Sequence, residues 1–391
     1  MTKSNTHCVM PHIGLALQNN GDFCTCNTND WSFQNKKREV LFVYKDSIKD
    51  AWNSHIRKLI GAGLDHGKEL PSCATCFDVE RSGGESRRQF FNEAFRYFTP
   101  NSDQPVVFIL KPGNTCNLAC RMCNPQTSSG WYSDAHTLAV KHENYTGSCH
   151  EFTKGFETIR NSFHRDNTEL WDTFAQWLPN LKFLDVYGGE PFLTPAMFET
   201  FERVEDLSEV SIQMHTNGSH FNERYLNALA RFKSVNLGIS IDSTDHKQLE
   251  YIRHLLDTDL LFENLNKFKD WASKHPNVTL HICNTITPLN IMYVKDTHEK
   301  LTEMTGLRVT LNFVTGPTEY DIRNIPTPVK EKLAENLKDL KQVVDFMSQS
   351  TGDSDTAWPR FWEVTKQLDA IRGQSFEETF PEFYELIKDY V

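Results

Sequence analysis

Short runs of β-branched and aromatic residues alternate with longer, helix-like stretches from residue 105 onward. This alternation is typical of βα units, in which each strand is followed by a helix and the strands lie parallel. The strand candidates are residues 106–110, 181–187, 210–215, 235–241, 278–283 and 307–313. Six such units predict an α/β fold whose functional side chains lie at the carboxyl ends of the strands.

The segments on either side of this core have different patterns. Before it, residues 15–17 and Phe23 flank a Gln-Asn-Asn-Gly stretch, which predicts a β-hairpin, and residues 48–60 predict an amphipathic helix. After it, a Thr-Pro pair at 327 begins a series of helices with apolar residues at helical spacing. These changes predict three domains, at residues 1–100, 101–326 and 327–391.

The connection between residues 124 and 179 is much longer than a usual βα loop. It contains His142, Tyr145, Cys149 and His150 before a helical stretch that ends near residue 178. Because long loops above strand ends often carry binding specificity, we expect part of it to cover the substrate site. Its histidines and Cys149 are expected to be packed or solvated, and not to be metal ligands.

Composition and charge exclude some classes of partner. The chain has 391 residues, 39% of them hydrophobic, which is enough for a substantial core. The net charge is −11 and the pI is near 5.8. Sequence-independent binding to the phosphates of nucleic acids depends on positive charge, so no nucleic-acid partner is expected. The first residues lack the apolar segment of a signal peptide, and no apolar run approaches the roughly 20 residues that span a bilayer. We therefore expect a cytoplasmic protein without a membrane partner.

Ten cysteines in such a chain favour metal ligation in a reducing compartment over disulfide bonds. Cys116, Cys120 and Cys123 follow the first predicted strand. Three thiolates can hold a four-iron cluster and leave one iron without a protein ligand. An iron with an open coordination position can bind a reactant, as catalytic zinc sites do. A zinc knuckle or a redox thiol cluster are the alternatives. The next histidine, His136, lies thirteen residues past Cys123, which is long for a compact zinc loop.

The spacing Cys-x3-Cys-x2-Cys after the first strand resembles the signature of the radical S-adenosylmethionine (SAM) superfamily. The resemblance implies a partial (β/α)6 barrel of the TIM type, a 4Fe-4S cluster on these three cysteines, and SAM at the open iron. It also implies reductive cleavage of SAM to a 5′-deoxyadenosyl radical that abstracts hydrogen from a substrate, with a flavodoxin- or ferredoxin-type reductant. The chain departs from the signature at Met122, where the family often has an aromatic residue.

Glycines and polar residues follow the later strand candidates. At 188–190 the sequence is Gly-Gly-Glu, in which glycines allow close backbone approach and a carboxylate can accept hydrogen bonds from an amine. By resemblance, Gly188, Gly189 and Glu190 meet the ammonium group of SAM. Ser240, Asp242 and Arg253 by resemblance bind its ribose and carboxylate, and Thr216 and Asn217 are assigned to the same cofactor site. Asn284 and Val314 are weaker candidates near the adenine. A strand-end cap or a surface ion pair would explain each of these residues singly.

A second group of cysteines, Cys8, Cys26, Cys73 and Cys76, lies in the first hundred residues. The predicted hairpin can bring Cys8 and Cys26 together, with Cys24 as the rival of Cys26. The order Cys-x12-Gly-x4-Cys, a helix with Trp, then Cys-x2-Cys is similar to the SPASM and twitch domains of radical SAM enzymes, which usually follow the barrel. The similarity implies a small N-terminal twitch-like domain with a saturated auxiliary 4Fe-4S cluster for electron transfer or structure. A zinc ion bound by four cysteines is the alternative.

The expected activity follows from the resemblance. Enzymes with SPASM or twitch domains often modify peptides or proteins, so a peptide or protein is the expected substrate of an oxidation or another radical modification. Two alternatives remain, namely a small-molecule alcohol dehydrogenase of the radical SAM type and a noncatalytic iron–sulfur or zinc binding module. The sequence assigns no catalytic acid or base.

Overall fold

The computed structural model describes residues 4–29, 31–81, 83–98, 103–141 and 167–391. Eight strands in these residues form one sheet with the order β2-β1-β3-β4-β5-β6-β7-β8. They are β1 (Gly14–Leu17), β2 (Phe23–Cys24), β3 (Val107–Leu110), β4 (Phe183–Val186), β5 (Ser211–Thr216), β6 (Ser234–Ser240), β7 (Val278–Ile286) and β8 (Val309–Phe313). Neighbouring strands are parallel except β1 and β2. The predicted α/β class is confirmed, and all six predicted strands are present as β3 to β8.

Helices connect the strands in the described part of the chain. They are α1 (Met10–Ile13), α2 (Ile48–Trp52), α3 (His55–Asp65), α4 (Ala74–Arg81), α5 (Arg87–Ala94), α6 (Tyr132–Lys141), α7 (Thr168–Trp177), α8 (Pro195–Arg203), α9 (Glu223–Leu229), α10 (His246–Ile252), α11 (Thr258–Ser273), α12 (Val294–Thr305), α13 (Thr327–Asn336), α14 (Lys341–Met347), α15 (Ser354–Arg372), α16 (Phe376–Thr379) and α17 (Pro381–Ile387). Many begin at a side-chain cap, as where Asn222 accepts a hydrogen bond from Tyr225 N ahead of α9.

The central strands have one apolar and one polar face, because successive side chains of a strand point to opposite sides. In β5, Ile212 and Met214 are buried in the main hydrophobic core, whereas the alternate residues Gln213 and His215 are only half-buried. The strand register extends this alternation across neighbouring strands. We use the term polar face for the residues Asp185, Tyr187, Gln213, His215, Asn236 and His281.

The N-terminal hairpin belongs to the main sheet. The predicted turn closes where Gly21 N donates to Gln18 O at 2.9 Å, and Gly21 has a positive φ of 86°. Strand β1 then pairs in parallel with β3, from Gly14 beside Val107 onward. The sheet therefore continues across the boundary predicted at residue 100, and the division into three domains stays a prediction.

A second hydrophobic core joins the C-terminal helices to the far end of the sheet. It includes Ile286 of β7 and Val294 of α12, together with Leu333 of α13, Phe361 of α15 and Phe380 between α16 and α17. The predicted series of C-terminal helices is therefore present in the structure. None of the described helices combines the length and apolar character needed to cross a bilayer. The predicted lid, with His142, Tyr145, Cys149 and His150, lies outside the described residues.

Candidate functional site

The three cysteines of the Cys-x3-Cys-x2-Cys signature lie on an irregular loop after β3, which we call the cysteine loop (residues 116–123). The following segment packs tightly against it. Trp131 Nε1 donates to Cys120 O at 2.8 Å. A Cβ on Gly130 would lie 2.4 Å from Leu118 O, so only glycine permits this approach. The loop backbone is therefore held by contacts that do not use the thiols.

The residues after α10 hold the other side of the cysteine loop. Ala119 N donates to His254 O at 2.9 Å, and Arg121 N donates to Ile252 O at 2.8 Å. These two bonds bracket Cys120 and place it beside Arg253.

Arg121 anchors the cysteine loop to the C-terminal region. Its side chain is fully buried, and its Nη2 donates to Asp369 Oδ1 at 2.5 Å and to Gln374 Oε1 at 2.9 Å. Its guanidinium also stands 3.6 Å from the ring centroid of Tyr251, whose hydroxyl donates to the same Asp369. Sequence reasoning missed this network. Its one local signal was an arginine between two cysteines.

The Gly-Gly-Glu turn follows β4 and lies against the cysteine loop. Gly188 and Gly189 have positive φ values of 81° and 52°, and a Cβ on Gly189 would lie 2.4 Å from Thr115 O. Glu190 N donates to that same oxygen at 2.8 Å. Both glycines are thus required by backbone conformation and by the close approach of two chain segments.

The Glu190 carboxylate is buried and already accepts three hydrogen bonds. Oε1 accepts from Phe192 N at 3.0 Å and from Thr216 Oγ1 at 2.7 Å, and Oε2 accepts from Asn217 N at 2.7 Å. Burial raises the pKa of Glu190, while these donors act in the opposite direction. The carboxylate therefore ties the turn after β4 to the end of β5.

Two further predicted residues approach the thiols themselves. Asn217 Nδ2 lies 3.9 Å from Cys116 Sγ, and Arg253 Nη1 lies 3.9 Å from Cys120 Sγ. Arg253 Nε also lies 2.8 Å from Asp242 Oδ2. Burial alone would lower the pKa of Arg253, but the charge of Asp242 raises it above its ordinary value, so the guanidinium stays charged.

The remaining cofactor candidates lie farther from the thiols. Ser240 is the last residue of β6, Asn284 Nδ2 donates to Ile241 O at 2.9 Å, and Val314 is buried. Within the described residues, no hydrogen bond joins these three side chains to the cysteine loop. Asn284 Oδ1 is buried and has no hydrogen-bond partner.

The thiols of the cysteine loop differ in their affinity for protons. Burial raises the pKa of Cys116 to about 12. A hydrogen bond from Cys123 lowers the pKa of Cys120 to about 7, and the nearby Arg253 guanidinium acts in the same direction. Cys123, the donor in that pair, has its pKa raised well above the ordinary value. Buried thiols of this kind become thiolates together only when a metal provides compensating positive charge.

The four N-terminal cysteines line one cavity. Cys8, Cys26, Cys73 and Cys76 all contribute to its wall, together with Arg87. Several polar groups lie near their sulfur atoms, as expected where hydrogen bonds tune a cluster. Asn29 Nδ2 is 3.4 Å from Cys73 Sγ, and Thr28 Oγ1 is 3.4 Å from Cys26 Sγ and 3.7 Å from Cys76 Sγ.

Cys24, the rival of Cys26, lies outside that cavity wall. Its buried thiol donates to Cys26 O at 3.0 Å and accepts from Gln18 Nε2 at 2.7 Å. No disulfide bond joins any of the nine described cysteines.

The described thiols do not converge on one point. Among the described residues, no three cysteine Sγ atoms in either set lie within 4.8 Å of one another. Four sulfur atoms bound to one tetrahedral zinc ion at about 2.3 Å would lie about 3.8 Å apart. As placed, neither set therefore matches a single zinc site, even though Cys120 and Cys123 are close enough to share a hydrogen bond.

Arg87 joins the four-cysteine cavity to the polar face of the sheet. It lines that cavity and forms an ion pair and hydrogen bond through Nη2 with Asp185 Oδ2. Tyr187 OH donates to the same carboxylate oxygen at 2.9 Å. Burial raises the pKa of Asp185, while Arg87 acts in the opposite direction.

The polar face above this pair has imidazoles with unused nitrogen atoms. The His215 ring stacks on Tyr187 with centroids 5.6 Å apart and meets the His281 ring edge-on at 5.7 Å. Gly238 leaves room for both rings, since its Cβ would lie 2.6 Å from His215 Cδ2. Nδ1 of each histidine is buried without a hydrogen-bond partner. Burial lowers the pKa of His215 to about 4 and also lowers that of His281, so both rings are neutral at pH 7.

These features define an α/β protein in which a three-cysteine loop, a Gly-Gly-Glu turn and an arginine meet at the carboxyl edge of a parallel sheet. Residues 110–301, just under half of the chain, match the family model of the Radical SAM superfamily. Members of this superfamily are enzymes that use a 4Fe-4S cluster and S-adenosylmethionine, and residues 110–301 are similar to them.

Solved structures give a more distant likeness, and no curated protein sequence matches the chain. Native anSMEcpe with bound AdoMet is 18% identical, with a TM-score of 0.39 and coverage of 60% of both chains. Streptococcus suis SuiB bound to its precursor peptide SuiA is 16% identical, with a TM-score of 0.38 and coverage of 85% of this chain and 69% of that one. The radical SAM methyltransferase TsrM from Kitasatospora setae, with cobalamin and a 4Fe-4S cluster, is 12% identical, with a TM-score of 0.30 and coverage of 44% and 32%. The chain thus spans about 60% of the length of the first of these structures.

Proposed function

We propose that the chain binds SAM beside the cysteine loop and uses it to take a hydrogen atom from a peptide or protein substrate. The observation that carries this proposal is the approach of Asn217 and Arg253 to within 3.9 Å of Cys116 and Cys120. It brings the predicted cluster ligands and the predicted SAM ligands to one place. When bound, the cluster and SAM supply a 5′-deoxyadenosyl radical through one-electron cleavage of the sulfonium–carbon bond.

The chain's own residues then have distinct tasks. Cys116, Cys120 and Cys123 hold the cluster, and the turn at Gly188 and Gly189 gives SAM a close approach to the backbone. A carboxylate has about four lone-pair positions, so the three donors on Glu190 leave one for an ammonium hydrogen.

Some guanidinium donors of Arg253 are directed at Asp242 and Cys120. The others would bind the SAM carboxylate. Thr216, Asn217 and Ser240 lie at the same edge of the sheet, where they would contact the nucleoside. The six parallel strands β3 to β8 support the proposal of a partial barrel, in which this edge would form the mouth.

The four-cysteine cavity is proposed to hold an auxiliary 4Fe-4S cluster with Cys8, Cys26, Cys73 and Cys76 as ligands. The common cavity supports Cys26 over Cys24 as the fourth ligand. Four cysteine ligands leave no iron for substrate, so its role is electron transfer or structure. The parallel pairing of β1 with β3 supports a position for this N-terminal unit directly beside the radical SAM domain.

The polar face is the proposed location of the substrate. It lies one row below the residues that approach the thiols, and it contains Nδ1 of His215 and His281 as buried nitrogen atoms without hydrogen-bond partners. Buried polar atoms of this kind are costly unless they form a hydrogen bond, which a peptide group or a side-chain hydroxyl would provide.

The test is SAM cleavage by anaerobically reconstituted protein with a chemical reductant. We expect 5′-deoxyadenosine from the wild type and from Cys24→Ala, a buried cysteine outside both ligand sets, and none from Cys120→Ala. Equal cleavage by Cys120→Ala would contradict the assignment. Addition of candidate peptides or of small alcohols, followed by mass spectrometry of the products, then separates a peptide-modifying enzyme from an alcohol dehydrogenase.

A further inference from the structure

Three potential metal ligands converge outside both cysteine sets. His7 precedes Cys8, His12 lies in α1, and Asp65 is the last residue of α3. His7 Nδ1 lies 2.6 Å from Asp65 Oδ1, and His12 Nε2 lies 3.0 Å from Asp65 Oδ2. One ligand atom from each residue lies within 4.8 Å of the other two. No other trio of His, Cys, Asp and Glu in the described residues meets that criterion.

The backbone on both sides of this trio is fixed by contacts that do not involve it. Thr6 Oγ1 donates to Leu64 O at 2.5 Å, which ties the N-terminal segment to the end of α3. His7 O accepts from Arg88 Nη1 at 2.7 Å and from Asn92 Nδ2 at 2.8 Å. The segment is therefore held in place on two sides before any ion binds.

A glycine in α3 makes room for His12. A Cβ on Gly61 would lie 3.0 Å from His12 Cε1, closer than ordinary van der Waals contact. The missing side chain lets the imidazole lie over the helix and reach Asp65, one turn further along.

Contacts within the trio leave one ring nitrogen of His7 unused. His7 Nε2 is buried without a hydrogen-bond partner, and His12 Nε2, which lies 3.0 Å from Asp65 Oδ2, forms no well-aligned hydrogen bond. The side chains of His7, His12 and Asp65 are 14%, 33% and 36% exposed, so an ion can enter and water can complete its coordination.

We propose that His7, His12 and Asp65 bind one divalent transition-metal ion, with zinc the best match. Two imidazole nitrogens and one carboxylate oxygen form a ligand set that zinc accepts and that magnesium and calcium, which prefer oxygen alone, do not. The ion would join the segment that carries Cys8 to α3, and so fix one wall of the four-cysteine cavity. Its role is structural.

The experiment measures zinc in the full-length protein after iron–sulfur reconstitution, so that the cysteines are occupied. The protein is treated with a chelator, given zinc, passed through a desalting column and analysed for bound metal. We expect one zinc per chain in the wild type and in the control His66→Ala, whose exposed imidazole follows Asp65 but lies outside the trio. His12→Ala and Asp65→Asn are expected to weaken zinc binding at least tenfold. Retention of zinc by both variants overturns the proposal, as does a wild type that takes up none.

X-ray absorption at the zinc edge on wild-type protein gives a second result that does not depend on how the variants fold. A first shell of nitrogen and oxygen with imidazole scattering supports the site. A sulfur shell would mean that zinc occupies the cysteines, and would overturn it.

Discussion

Arg87 and Asp185 form an ion pair that links the wall of the four-cysteine cavity to the polar face of the sheet. Asp185 is fully buried, and the Arg87 side chain is 28% exposed. The two residues lie 98 positions apart in the chain, on either side of the boundary expected at residue 100. The N-terminal unit therefore supplies the counter-charge of a carboxylate in the main sheet.

Replacing Arg87 by alanine should destabilise the protein strongly. The change leaves Asp185 buried and without its counter-charge, and breaking such a pair costs about 3–5 kcal/mol. The measurement is the free energy of unfolding from urea denaturation. Asp185→Asn in the Arg87→Ala background should recover part of the loss, because the uncompensated charge is removed. Arg81→Ala is the control, since its partners Glu69 and Asp78 are exposed. A loss no larger than that of the control would mean that the pair contributes little.

Iron content should separate the two cysteine sets. The wild type is expected to hold about eight irons per chain and Cys73→Ala about four, because a cluster lacking one of its four cysteine ligands is poorly retained. Cys24→Ala should hold as much iron as the wild type, since Cys24 lies outside the cavity wall. Acid-labile sulfide is counted alongside. About four irons in the wild type, with zinc present, would instead favour a zinc site at the N-terminus.

Arg121→Lys should weaken SAM binding indirectly, because Arg121 holds the cysteine loop in place and is not assigned to the SAM site. Lysine cannot bond Asp369 and Gln374 together while stacking on Tyr251, so the cysteine loop loses its attachment to α15. We expect at least about a tenfold weaker SAM affinity, or about 1.4 kcal/mol, together with lower iron retention. Equilibrium binding of SAM to reconstituted protein is the measurement. Arg203→Lys, which alters a surface pair with Asp172, is the matched control and should bind normally.

Stability should depend on pH through His215. Its pKa falls from about 6.5 in the unfolded chain to about 4 in the folded protein, so the unfolded state binds the extra proton first. The stability that depends on a neutral His215 is fully present above pH 6.5 and declines as the pH falls from about 6.5 to about 4. Over that range the free energy of unfolding changes by up to about 1.4 kcal/mol per pH unit. The free energy of unfolding at pH 5.5 and 7.5 should therefore differ less in His215→Gln than in the wild type. The same difference in both proteins would show that this ring does not stay neutral. His66→Ala is the control.

Sequence patterns predicted features formed by neighbouring residues, but they did not predict contacts between residues far apart in the chain. The strands were predictable because each is a run of five to seven residues rich in β-branched or aromatic residues. The signature cysteines were predictable because they lie on one loop. The Arg121–Asp369 bond joins residues 248 positions apart, and no spacing rule connects them. The pairing of β1 with β3 was missed for the same reason, since a short strand such as Gly14–Leu17 carries no mark of its neighbour.

The choice between Cys24 and Cys26 shows the same limit on a smaller scale. Cys26 fits the Cys-x12-Gly-x4-Cys spacing and Cys24 is its rival, and in the structure the two differ in the direction of their side chains. Cys24 turns toward Gln18, whereas Cys26 turns into the cavity. Likewise, the polar face could not be recognised from the sequence, because His215 and His281 become neighbours only through the register of β5, β6 and β7.

The bond from Arg121 to helix α15 has a practical consequence for work with this protein. Because the cysteine loop is attached to the last tenth of the chain, we expect a deletion or fusion that disturbs α15 to disturb this loop too, although the helix lies far from the loop in sequence. Swapping radical SAM domains between proteins would need to carry the matching terminal helices along. In protein engineering, the sheet and the C-terminal helices of this chain should therefore be kept together.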